Sequence, residues 1–292
     1  MTGPATHAAK LAPRNSVDVG PQEMIKVQRR WGQAFNRPLQ DWHGKRVWLV
    51  GASSGIGLAC AQALQTAGAQ VVISARELGP LSEWARKSES EGRRLELFPL
   101  DVTDGLQVKY VTRQVAEGGA IDLLLYCAGH YKAQRATEFD LSDMLRHQEV
   151  NYNGLLRVLG ASLPILLQQG FGHISLVSSV AGWRGLPNGL AYGPTKAAMT
   201  NLAETLYMDL QDRGIGVSLI SPGFVATPLT AQNNFQMPAL LTPEQAAQAI
   251  LKGWAQGAFD IHFPKRFTLW LKMLRLLPYR LYFALVRRFT GL

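Results

Sequence analysis

A doubly wound α/β fold, with a parallel sheet covered by helices in a single domain, is the architecture this sequence predicts, on three observations. From residue 46 to about 263, short β-branched runs alternate with longer stretches of helical periodicity. Those runs are apolar along their whole length, the pattern of strands covered on both faces. The chain of 292 residues, 47% apolar and 17% charged, is long and apolar enough to bury a substantial core.

The elements follow in order. Residues 1–22, rich in Gly, Pro, Ala and Thr, read as a loose tail with no apolar stretch of secretory-signal type. Residues 23–37 place Met24, Val27, Trp31, Ala34 and Phe35 at helical spacing, a short docking helix weakened by Gly32; residues 1–40 together read as an N-terminal extension. Strands are expected at 47–50, 71–75, 95–97, 121–126, 173–177, 217–220 and 259–263. Helices are expected at 58–67, 107–117, 143–169, 191–212 and 243–256. Strands joined through helical crossovers lie parallel, and no repeat or linker divides 41–263, so one domain suffices. Beyond it, 264–292 reads as two basic amphipathic helical stretches broken at Pro278, too short and too charged to span a bilayer that requires about 20 apolar residues.

The formal net charge is +9, and its distribution is uneven. Residues 1–40 hold six Lys/Arg against two acids, 263–292 hold seven against none, and 41–262 hold 17 against 19. A near-neutral middle without a basic stripe argues against a nucleic-acid partner, whereas basic ends suit an anionic surface, so 264–292 reads as a peripheral membrane contact, with an arm packing on a partner subunit as the alternative. Two cysteines, Cys60 and Cys127, provide no disulfide framework, and a reducing, cytoplasmic setting follows, peripheral to the inner membrane face. The six histidines form no tight cluster along the chain, and no metal site is expected.

The expected first strand runs directly into Gly51-Ala52-Ser53-Ser54-Gly55-Ile56-Gly57 and then into a helix. Glycines let the backbone turn sharply and approach a pyrophosphate, whose charge is met by free N–H groups and the positive dipole at the helix start. Tyr192 and Lys196 lie four apart, one helical turn, so both sit on one face. An ammonium beside a phenol favours the phenolate and is expected to lower the tyrosine pKa toward the range of a general acid/base.

With the spacing G-x-x-x-G-x-G, and further motifs in the same order, the sequence resembles the short-chain dehydrogenase/reductase family over roughly 45–263. The resemblance implies a Rossmann-type fold and carbonyl–alcohol interconversion with a nicotinamide dinucleotide. Asp101-Val102 matches the family's adenine contact, and Pro222-Gly223-Phe224-Val225-Ala226-Thr227 the segment that closes over the nicotinamide. Asn151 matches the asparagine that helps order a water chain to the lysine; neighbouring Asn153 reads as an ordinary helix residue. Of the two candidate serines, Ser178 and Ser179, the family's spacing to the tyrosine selects Ser179 as the residue that holds the carbonyl oxygen. Tyr192 then exchanges the proton, and Lys196 tunes it and holds the ribose. The implied cofactor contacts are Gly51, Ser53, Ser54, Gly55, Ile56, Gly57, Arg76, Asp101, Val102, Ala128, Gly129, Tyr192, Lys196, Pro222, Gly223, Val225 and Thr227. Homo-oligomers are common in the family.

Cofactor choice turns on Ser74-Ala75-Arg76-Glu77 at the second strand's end. With no Asp at the tip and an arginine just past it, NADP(H) is favoured over NAD(H), with Glu77 as the counterweight. Cys127-Ala128-Gly129 departs from the family's Asn-Ala-Gly; a thiol fits the volume but bonds poorly, and it reads as a buried structural group. Residues 228–241 occupy the place of the family's substrate lid, and their apolar members point to a lipophilic substrate. The sequence thus reads as an NADP(H)-dependent oxidoreductase, with a non-catalytic dinucleotide-sensing or scaffold protein as the alternative.

Overall fold

The computed structural model describes residues 33–233 and 235–291. Seven strands form one parallel sheet: β1 (Arg46–Val50), β2 (Gln70–Ala75), β3 (Leu95–Pro99), β4 (Leu123–Tyr126), β5 (Gly172–Val177), β6 (Ile215–Pro222) and β7 (Asp260–Phe263). Their order is β3-β2-β1-β4-β5-β6-β7, so the direction of winding reverses between β1 and β4, and a crevice opens beyond the carboxyl ends of those two strands.

Strand alternation sorts the core into two layers. Val47 and Leu49 of β1 face one layer with Leu64 of α1 (Gly55–Thr66) and Ile250 and Trp254 of α7 (Pro243–Ala255). Trp48 and Val50 face the other, with Val111 of α3 (Gly105–Glu117), Val158 of α5 (Gly154–Gln169) and Met199 of α6 (Tyr192–Leu210). Both faces of the sheet are thus dry, which is why the strands read as continuous apolar runs. Asp104 caps α3, and Thr242 with Gln245 forms a capping box that starts α7 at Pro243.

Three differences from the sequence reading have physical causes. The helix α2 (Ser82–Ser90) was outside the expected set; its sequence is polar and buries only Ser88 fully, so it carries no apolar periodicity. The single helix expected at 143–169 is two, α4 (Leu141–His147) and α5, joined by a π-helical turn at Gln148–Asn153. There the Val150 carbonyl accepts a hydrogen bond of 2.9 Å from the Tyr126 hydroxyl of β4, a partner a regular helix does not require. The docking helix expected at 23–37 lies mostly outside the described residues. Its described end is not helical: Asn36 is buried, and its side chain bonds both the N–H (3.0 Å) and the C=O (2.8 Å) of Val217. Because β7 begins opposite Leu219, Asn36 takes the place of a strand partner that Val217 lacks.

After β7 the chain forms α8 (Lys265–Arg275) and α9 (Tyr279–Thr290). No helix among the described residues is long and apolar enough to cross a membrane.

Candidate active site

A cleft of about 910 Å³ opens at the winding reversal. All seventeen residues expected at the cofactor line it, together with Ser179. Gly51 has φ +83°, and a Cβ there would fall 2.4 Å from the backbone N of Ala128; at Gly57 one would fall 2.8 Å from the Ala52 Cα. Only glycine lets the β1–α1 turn pass this close to β4 and to itself. Ser54 caps α1 without a side-chain bond, and no acid stands in the first turn, so those N–H groups are left for an anion. A glycine cradle with open amides, backed by a buried lysine, fits a dinucleotide pyrophosphate and ribose.

On the other wall, Ser178 and Ser179 follow the end of β5, and α6 starts at Tyr192. The two serines have separate uses. The Ser178 hydroxyl is buried and donates to the Lys196 carbonyl at 2.9 Å, which fixes the strand to α6. The Ser179 hydroxyl accepts from the Ala181 N–H at 3.1 Å and bonds the Tyr192 phenol at the cleft surface. Lys196 is 3% exposed, its Nζ donates to the Val177 carbonyl at 2.8 Å, and it lies 5.4 Å from the centre of the Tyr192 ring.

The electrostatics correct one expectation. Burial pushes the Tyr192 phenol above its ordinary value, and the Ser179 hydrogen bond only partly opposes this, while the nearby Tyr131 adds to the rise. The lysine does not lower it, because its ammonium is held on a backbone carbonyl rather than on the phenol oxygen. Burial instead lowers Lys196 itself to about 8. In the chain alone Tyr192 is therefore a protonated acid beside a lysine that is mainly charged at neutral pH.

Asn151, fully buried in the π-helical turn, does not line the cleft. Its Nδ2 donates to the His130 carbonyl (3.0 Å) and to the Thr195 hydroxyl (3.0 Å), and its Oδ1 accepts from the His130 N–H (2.6 Å). The side chain thus joins the loop after β4 to α6, one residue from Lys196, without a hydrogen bond to that lysine. Asn153 lines the cleft and bonds Glu149 at 2.7 Å.

Arg76 is exposed at the rim next to Glu77, and among the described residues no ion pair joins them. Partial burial would raise the Asp101 carboxyl, but the N–H and hydroxyl of Thr103, with Arg76 and Arg146, hold it below its ordinary value. The Cys127 thiol is pushed up to about 12 by burial, against the opposing charge of Lys196, and is inert as a nucleophile.

Several neighbours were not found from sequence. Tyr131 meets Tyr192 edge to face, with centroids 5.1 Å apart, and its hydroxyl donates to Asn233 of the lid at 3.0 Å. The histidines, scattered along the chain, are partly gathered by the fold: His130 and His147 lie 4.5 Å apart around Asp143. Both nitrogens of His147 are engaged, with the Asp143 carbonyl at 2.8 Å and the Lys132 N–H at 3.1 Å, so the ring is committed to the protein. Nothing in the local sequence marks these contacts, which join a loop, α4 and the lid.

Comparison with known proteins agrees with the fold. The family model for short chain dehydrogenase matches residues 45–238. An oxidoreductase of Myxococcus xanthus is 33% identical over 241 residues, covering 82% of this chain and 95% of the relative. A short-chain dehydrogenase from Streptomyces avermitilis superposes with a TM-score of 0.69 at 28% identity, covering 79% of this chain and 92% of that one. A Burkholderia cenocepacia gluconate 5-dehydrogenase, solved in complex with NADP and tartrate, superposes with a TM-score of 0.70 at 24% identity, covering 81% and 98%. The sheet defines a Rossmann-like fold, and the family model and relatives define an oxidoreductase. The chain belongs to the short-chain dehydrogenase family, whose members use NAD(P).

Proposed function

We propose that this protein is an NADP(H)-dependent oxidoreductase that interconverts a ketone or aldehyde and an alcohol on a lipophilic substrate. The observation that carries this reading is the convergence of Ser179, Tyr192 and Lys196 on the cleft that also holds the open amides of α1. A bound nicotinamide dinucleotide supplies or accepts the hydride. Ser179 orients the carbonyl oxygen beside the phenol to which it is already bonded. Tyr192, kept protonated by burial, gives its proton to the developing alkoxide, and takes one in the reverse direction. The Lys196 ammonium would bond the ribose, and would favour the phenolate left behind once drawn from the Val177 carbonyl toward the cleft; Asn151 holds the loop after β4 and the first turn of α6 in register.

Arg76 supports NADP(H), because its guanidinium at the end of β2 is free of Glu77 and stands where a 2′-phosphate is read. For the substrate, Leu229 lines the cleft, and Phe235 and Leu240 of the same lid segment are 44% and 45% exposed. Self-association is supported by exposed Leu106 and Tyr110 on α3 and Leu141 and Leu145 on α4.

The test is fluorescence titration with NADPH and NADH, followed by a panel of ketones of rising chain length. Tighter binding of NADPH and turnover that improves with chain length are expected. Cofactor binding with no turnover across the panel would overturn the enzyme reading in favour of a dinucleotide sensor.

A further inference from the structure

We infer that α8, α9 and the lid tip form a docking surface for an anionic lipid bilayer, set against the mouth of the cleft. The surface is defined by exposure alone; that it delivers substrate rests on the lipophilic-carbonyl reading.

The helix α8 leaves several large apolar side chains exposed. Thr268 and Leu274 face the protein, while Leu269, Trp270 and Met273 of α8 and Leu276 just beyond it are 52%, 41%, 69% and 84% exposed. A helix at the surface of a soluble domain buries its apolar residues; this one buries Leu274, half-buries Phe267 and Leu271, and leaves the others exposed. On α9, Leu281 and Phe283, on either side of the buried Tyr282, are each 55% exposed, and Phe289, 65% exposed, meets Trp270 at 5.4 Å, so exposed apolar side chains of the two helices adjoin.

Charge identifies the occupant. Residues 263–292 carry seven Lys/Arg and no acid. Among the described residues, Arg266, Arg275, Arg280 and Arg288 are exposed and in no ion pair. A two-fold contact between copies through this face would set cations against cations, whereas a bilayer with anionic headgroups satisfies them and takes up the exposed apolar side chains. Helices of 11 and 12 residues lie on such a surface and do not span it.

The surface is tied to two chain segments whose neighbouring residues line the cleft. Arg184, in the segment between Ser179 and Tyr192, donates to the carbonyls of Leu274 (3.2 Å), Arg275 (2.9 Å) and Leu277 (2.8 Å). Its guanidinium also lies 3.9 Å from the ring centre of Tyr282, whose hydroxyl donates to the Gly185 carbonyl at 2.7 Å. On the lid side, Phe267 of α8 packs on Phe224 at 5.8 Å, and Phe224 on Phe235 at 5.6 Å. A bilayer touching these side chains therefore also meets the exposed lid residues.

The experiment is co-sedimentation of the full chain with vesicles of phosphatidylglycerol in phosphatidylcholine and of phosphatidylcholine alone, at low and high salt. It is repeated with the double variant Arg280→Glu/Arg288→Glu, using NADPH binding as the check on the fold. Binding to the anionic vesicles alone is expected, released by salt, and weakened about 25-fold or more in the variant, at about fivefold per cation. NADPH binding should not change. The inference is overturned by absence of anionic-vesicle binding, by equal binding of both proteins, or by a change in oligomeric state of the variant without vesicle binding, which would assign the face to a second copy. Vesicle binding with no turnover of any long-chain carbonyl would instead count against the substrate reading and leave the docking surface standing.

Discussion

Substitution of Arg76 by alanine isolates the basis of cofactor choice. The side chain lies at the rim of the cleft, unpaired with Glu77, so its removal releases no buried charge and leaves the fold intact. One charge-assisted hydrogen bond contributes about 1.5–3 kcal/mol, and solvent exposure puts this one at the lower end. About 1.5 kcal/mol corresponds to about a tenfold rise in the Kd for NADPH. NADH, which has no 2′-phosphate, should change by less than about twofold on the same scale. Because the contact is exposed and the screening length is about 8 Å at physiological ionic strength, the NADPH advantage should shrink as salt is raised. The assay is nicotinamide fluorescence titration of both cofactors at two salt concentrations. An equal loss for both cofactors, or a wild-type protein that prefers NADH, would refute the reasoning.

Two further predictions concern the walls of the cleft. Gly51→Ala combines a left-handed backbone position with a Cβ 2.4 Å from the Ala128 backbone, and should lower stability by about 3 kcal/mol or more and abolish dinucleotide binding; Gly160→Ala, in α5 with nothing within 4 Å, should leave thermal melting unchanged or raised. Burial lowers Lys196 from the ordinary 10.5 to about 8, so between those values the unfolded chain binds more protons and stability rises with pH. Lys196→Met should therefore melt higher than the parent at pH 7 without cofactor, by up to about 3 kcal/mol, and the advantage should decline from pH 8 to 10.5. A variant that is less stable at pH 7, or an advantage that grows with pH, would contradict this.

The sheet was legible because each strand is buried on both faces and so reads as an unbroken apolar run, and the β1–α1 turn because its glycines sit between a strand and a helix. Tyr192 and Lys196 were singled out by the resemblance, and their spacing of four places them on one helical face. What was not legible depends on contacts distant in sequence. Asn36 bonds Val217 across 181 residues, and Arg184 clasps the end of α8 across some 90. The π-helical turn that holds Asn151 depends on the Tyr126 hydroxyl from another element. The direction of the Tyr192 shift was misread because spacing places lysine and tyrosine on one face but does not say which oxygen the ammonium binds; Lys196 binds the Val177 carbonyl.

The most direct test of the proposed chemistry is Tyr192→Phe, which removes one hydroxyl and preserves the ring that packs on Tyr131 at 5.1 Å. Single-turnover reduction of a long-chain ketone with NADPH should slow by about 10²–10⁴-fold, the usual contribution of a positioned general acid. The Kd for NADPH should stay within about twofold of the parent. Reduction at the parental rate would show that Tyr192 is not the proton donor and would contradict the proposed mechanism.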